Sequence, residues 1–99
     1  MAIMEISVIP LGLGRPSVGD YVAELERYLQ KENIPHLLTD MGTLVHGEVS
    51  HLLEVARALH ELPFNRGVQR VVTHITIDDR RDKEVKLGEK TTAVQARLA

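Results

Sequence analysis

The chain has no cysteine and no tryptophan, one phenylalanine and two tyrosines. Without thiols it can form no disulfide, supply no thiolate nucleophile and build no Cys-ligated zinc or iron–sulfur site. So few rings leave little to stack on exposed bases, and a formal net charge of −2 gives no field for a polyanion. Nucleic acid is therefore not an expected partner. No run approaches the roughly 20 apolar residues of a bilayer span, and the opening MAIMEISVIPLG lacks the basic stretch and apolar run of a signal peptide. The expectation is a soluble cytoplasmic protein with no membrane partner. Against these absences stands an ordinary globular composition, 43% hydrophobic and 26% charged over 99 residues, enough for one core in one domain over residues 1–99.

The stretch RVVTHITIDDRRD, Arg70 to Asp82, carries the clearest pattern. Val71, Thr73, Ile75 and Ile77 alternate with Val72, His74, Thr76 and Asp78, which predicts a strand with one apolar and one polar face. Ile3 to Ile9 predicts another, with Met4, Ile6 and Val8 turned away from Glu5 and Ser7. Pro10 ends it, and a turn through Gly12, Gly14 and Pro16 leads to a helix capped by Ser17, with Asp20 three residues on. Val18, Tyr21, Val22, Leu25, Tyr28 and Leu29 share one face of that helix, with Glu24, Glu26, Arg27, Gln30 and Lys31 elsewhere. Asn33 and Pro35 close it. His36–Asp40 and Thr43–Glu48 read as a hairpin turned at Met41 and Gly42, with Thr43, Val45 and Gly47 toward the core. Ser50 is the predicted cap of a second helix, whose Leu52, Val55, Ala56, Leu59 and Leu62 face inward while His51, Glu54, Arg57, His60 and Glu61 face largely outward. Pro63 and Gly67 terminate it, and Leu87, Thr91, Val94 and Leu98 suggest a short terminal helix docked on a neighbour.

Strand, helix, strand, strand, helix, strand is the ferredoxin-like βαββαβ plan, an α+β sandwich. Right-handed crossovers with both helices on one face require an antiparallel sheet of order 4-1-3-2, followed here by the short C-terminal helix. The second sheet face stays open. By alternation it holds Glu5, Ser7, His46, Glu48, His74 and Thr76, together with the apolar Ile3, Ile9, Leu44 and Val72. Such a mixed face suits a second subunit, with or without an enclosed small molecule. His46 and His74 as metal ligands are a further reading, but two strands separate them, roughly 9 to 10 Å between backbones. Arg15 and Ser17 at the start of the first helix have the chemistry to hold an anion, but the plain turn is the favoured reading. Asp78, Asp79, Arg80, Arg81 and Asp82 form a charge cluster at a strand end. No nucleophile, base and orienter set is present, so an enzyme is not expected. An RNA-binding version of the fold would want aromatic residues on the first and third strands, which have none.

The motifs VIPLG at Val8–Gly12, SVGDYV at Ser17–Val22, MGT at Met41–Thr43 and RVVTHITIDDRRDK at Arg70–Lys83 resemble the small thiamine-binding proteins, relatives of the two-repeat YkoF-like proteins that bind thiamine or its hydroxymethylpyrimidine. The resemblance implies a non-enzymatic homo-oligomer, often tetrameric, holding its ligand at subunit contacts, with thiamine as ligand and no cofactor or resident metal. The family's third strand commonly reads VEGE where Val45–Glu48 reads VHGE, and Thr or Ser is commoner at the position of His74. On this reading Glu5 or Glu48 accepts from an amino group or balances a thiazolium, while Ser7, Thr43 and Thr76 position polar edges beside His46 and His74. Asp78, Asp79, Arg80, Arg81, Leu44 and Val72 fall to the oligomer interface. The alternatives are a structural or regulatory homo-oligomer without a small ligand, and a metal-binding protein using the two sheet-face histidines.

Overall fold

The computed structural model describes residues 1–12 and 19–99. Its elements are β1 (Ala2–Pro10), α1 (Gly19–Lys31), β2 (His36–Leu38), β3 (Thr43–Gly47), α2 (Val49–Phe64), β4 (Val71–Asp79) and α3 (Glu89–Leu98). The sheet order is β2-β3-β1-β4, antiparallel throughout, as the ferredoxin-like plan requires. The turn at Gly14 and Pro16, the Ser17 cap, Arg15 and Val18 lie outside the described residues.

Alternation on β1 decides the layers. Ala2, Met4, Ile6, Val8 and Pro10 are buried, while Ile3, Glu5, Ser7 and Ile9 face the other way. Ala2, Met4, Ile6 and Val8 meet Leu25 and Leu29 of α1 and Leu52, Val55, Ala56 and Leu59 of α2 in one cluster that also takes in Val45 and Ile34. Burying a side chain of this kind contributes about 1.5–3 kcal/mol, so this layer supplies the main stabilisation. α1 ends in a Schellman motif: the Asn33 amide donates to the Gln30 carbonyl at 3.1 Å and the Ile34 amide to the Leu29 carbonyl at 3.0 Å. Asn33 takes the left-handed conformation this needs, at φ 55°. Ile34 is thereby turned into the core against the helix it terminates.

Four local expectations are corrected. β3 stops at Gly47, and Glu48, with φ −70° and ψ 146°, takes the N-cap position of α2, displacing Ser50 into the first turn. Pro63 sits inside α2, which runs to Phe64; in the last turn a proline forfeits only one intrahelical hydrogen bond, and its ring is buried. His60 is half-buried rather than outward, hydrogen-bonded through Nδ1 to Thr73 Oγ1 at 2.7 Å with its ring edge-on to Phe64. α3 contains no buried residue: Val94 is 46% and Leu98 79% exposed, because so thin an apolar stripe has little surface to offer the sheet. The radius of gyration, 14.9 Å, exceeds the about 13 Å of a compact chain of this length, as a projecting helix requires.

Candidate ligand site

β1 has nine residues and β3 five. Pairing between them ends where Ile6 meets Thr43, so among the described residues Ser7 to Pro10 have β4 on one side and no strand on the other. The β2–β3 turn stands over that free edge. Thr39 holds the turn closed: its amide and its hydroxyl both donate to the Gly42 carbonyl, at 2.9 and 2.7 Å, and its oxygen accepts from the Met41 and Gly42 amides at 3.3 and 3.2 Å. Gly42 runs so close to β1 that an added Cβ would lie 3.0 Å from the Ile6 carbonyl oxygen. Only a residue without a side chain lets the turn approach this far.

Between turn and strand edge lies a cavity of about 640 Å³, within the range of small-molecule sites. It opens on the open sheet face and reaches round the edge of β1 toward α1. Ile6, Val8, Val22, Leu25, Leu38 and Met41 give it an apolar lining, and Glu5, Ser7, Thr39, Asp40, Thr43 and His74 supply the polar groups. The register explains part of this convergence, since His74 is directly opposite Ser7 and Thr76 opposite Glu5. Thr43 is buried, and its hydroxyl donates to Glu26 Oε2 on α1 at 2.9 Å. Two carboxylates over an apolar floor suit a flat, positively charged or amino-bearing ring.

The Thiamine-binding protein family matches residues 4–95 of this chain. The chain belongs to that family. Among its relatives, the UPF0045 protein in the glkA 3' region of Staphylococcus xylosus is 47% identical, over 99% of this chain and 95% of its own. The UPF0045 protein YqgV of Bacillus subtilis is 46% identical, over 99% and 98%. Among solved structures, the hypothetical protein MJ1052 of Methanocaldococcus jannaschii superposes with a TM-score of 0.84 at 33% identity, over 95% of each chain. A candidate thiamine biosynthesis/salvage protein of Thermotoga maritima shares the fold alone, with a TM-score of 0.76 at 15% identity over 94% of this chain and 97% of that one.

Set against the family expectation, the seven candidate ligand residues divide. Glu5, Ser7, Thr43 and His74 line the cavity, and Thr76 lies beside Glu5 on the same face. Glu48 does not join them. Gly47 pairs with Ala2, about 17 Å along β1 from Ser7, so Glu48 lies near the far end of the sheet, where it lines a different recess with Asp79 and Arg81. His46 is also engaged elsewhere: its Nε2–H donates to the Val85 carbonyl at 2.6 Å, pinning the segment after β4 across the open face. The register puts His46 opposite Ile3 and His74 opposite Ser7, about 16 Å apart, too far for one metal ion. Thr39, Asp40 and Met41 escaped the sequence reading. The spans Ile3–Ile9 and Thr43–Glu48 read from the sequence are nearly equal in length and gave no signal; the mismatch that leaves an edge of β1 without a neighbour is between the observed nine and five residues.

Of the expected interface residues, Leu44 and Val72 are half-buried on the open face, opposite Glu5 and Ile9. Arg80 pairs with Asp82 at 2.7 Å and Arg81 with Asp79 at 2.8 Å. Hydrogen bonds from these guanidinium groups are the main reason that the Asp82 and Asp79 carboxyls are held below their ordinary range. Solvated pairs of this kind contribute little to stability. The His46 strap should matter more locally. His46→Ala removes one hydrogen bond to a backbone carbonyl, a loss of about 1 kcal/mol, and amide exchange around Val85 to Gly88 should rise while β1 stays protected. Unchanged exchange would show that the segment is held by other contacts.

Proposed function

We propose that this protein binds thiamine or a related aminopyrimidine without transforming it, in the cavity between the β2–β3 turn and the free edge of β1. The observation that carries this reading is the pairing of the Glu5 and Asp40 carboxylates with an apolar floor in a cavity of about 640 Å³. Thiamine joins an aminopyrimidine to a thiazolium, so it brings hydrogen-bond donors, a fixed positive charge and two flat rings. Membership of the Thiamine-binding protein family supports the same ligand class, and the name of the Thermotoga maritima protein agrees with it. His74 in place of the commoner Thr or Ser adds a ring at the mouth, opposite Ser7.

The working form in this proposal is a homo-oligomer in which a second copy packs on the open face. Ile9 and Leu37 are 39% and 49% exposed there, beside half-buried Leu44 and Val72, and the outlying α3 adds Val94 and Leu98. A partner across this face would close the cavity mouth beside His74. Isothermal titration with thiamine tests the reading. Saturable heat at low micromolar affinity or better, near one ligand per subunit or per dimer, is the expected result. No heat at several temperatures would leave a bare assembly as the better account.

A further inference from the structure

Resting on the reading of the cavity as an aminopyrimidine site, we propose that Glu26 fixes the hydrogen-bonding polarity of the cavity wall at Thr43, so that the wall selects an amino-bearing over an oxo-bearing ring. A hydroxyl has a single hydrogen. Thr43 spends it on Glu26 Oε2, at 2.9 Å, and a carboxylate has none to return. Toward the cavity Thr43 then offers lone pairs only.

Glu26 is held where it can do this. Its other oxygen lies 3.6 Å from His36 Nε2, and the His36 ring is anchored through Nδ1–H, which donates to the Ile34 carbonyl at 2.7 Å, so it is the doubly protonated ring that attracts the Glu26 carboxylate. The side chains of His36 and Glu26 are 16% and 14% exposed, so water competes weakly for the carboxylate. The neighbouring polar groups agree in sense. Thr39 has given its hydrogen to Gly42, and Glu5 and Asp40 are carboxylates. Of the polar side chains lining the cavity among the described residues, Ser7 and His74 are left to donate. A ring that presents an oxo group to Thr43 sets acceptor against acceptor, whereas an amino group finds a partner.

Thiamine and oxythiamine, which carries an oxo group in place of the amino group, make the test. Wild-type protein should bind thiamine at least about tenfold more tightly, since a buried acceptor left unpaired is the larger part of such discrimination. Glu26→Gln keeps the shape but can turn an N–H toward Thr43, freeing the hydroxyl hydrogen for the ligand. Oxythiamine should then bind more tightly, bringing the ratio to about threefold or less. Thr43→Val should shrink the ratio from the other side, by weakening thiamine. A purely structural role for Glu26 would weaken both compounds together, leaving the ratio where it was, and thermal melting of each variant checks the fold. Thiamine binding with an unchanged ratio in Glu26→Gln would overturn this inference alone. No heat with either compound on wild-type protein would overturn it together with the binding reading beneath it.

Discussion

Glu5→Gln should weaken thiamine binding by about tenfold or more while leaving the melting temperature where it was. The substitution keeps the volume and the hydrogen-bonding reach of the side chain but removes its charge. Hydrogen bonds to charged groups are worth about 1.5–3 kcal/mol, against about 1 for neutral ones, and each 1.4 kcal/mol is a factor of ten. Glu5 is exposed, at the centre of the open face between Leu44 and Thr76 and at the rim of the cavity. The fold therefore gains little from its charge. Glu48→Gln is the companion measurement. Glu48 belongs to the start of α2 and lines another recess, so its loss of charge should leave thiamine affinity unchanged. Equal weakening by both substitutions would point to the general field of the protein instead of a contact at the cavity.

Leu29→Ala should cost about 2–5 kcal/mol of stability, a loss read from urea unfolding, and lower the melting temperature by about 10 °C or more. Leu29 has no exposed surface. Its side chain packs in the core with Ile34, and its carbonyl accepts the hydrogen bond that turns Ile34 inward. Truncation leaves a cavity at the point where helix, terminating turn and sheet meet, and none of the three can move without breaking the motif. Leu53→Ala makes the contrast. Leu53 lies on the same layer but is 51% exposed, and its removal should stay within about 0.5 kcal/mol. A small effect at Leu29 would mean that α1 can settle into the space.

The layers of this fold were legible in Met4, Ile6 and Val8, because a strand records its two faces at every second position; on β4 only Val71 and Ile77 of the predicted apolar face reach the core, and Ile75 is 44% exposed. The same alternation placed Glu5, Ser7, His74 and Thr76 together. What it could not record was chemistry acting across distant parts of the chain. His46 is on the face predicted for it, yet its imidazole is taken up by a carbonyl 39 residues away. Glu48 was extrapolated one step along a strand that had already ended at a glycine. Glu26 read as a surface residue of α1. It flanks the Val22, Leu25 and Leu29 stripe, and the hairpin beneath that flank brings Thr43 to it. Asp40 reads as the end of a strand that stops at Leu38, and Met41 as a plain turn, because turns follow from local residues, whereas the use of this one follows from the five-residue length of β3.

The central place of β1 has a consequence for the order of events during folding. Met4 pairs with Val45 on one side and Ile77 on the other, and Ile6 with Thr43 and Ile75. The first strand in the chain is thus satisfied only by segments some forty and seventy residues downstream, and closing such loops costs entropy before any pair forms. The helices can form from local contacts, but the sheet must wait for its last strand. Contacts of this range slow folding relative to a helical bundle of equal length. Until β4 has been made, the most apolar strand of the molecule has an unpaired edge, and the charges from Asp78 to Lys83 arrive with the strand that covers it.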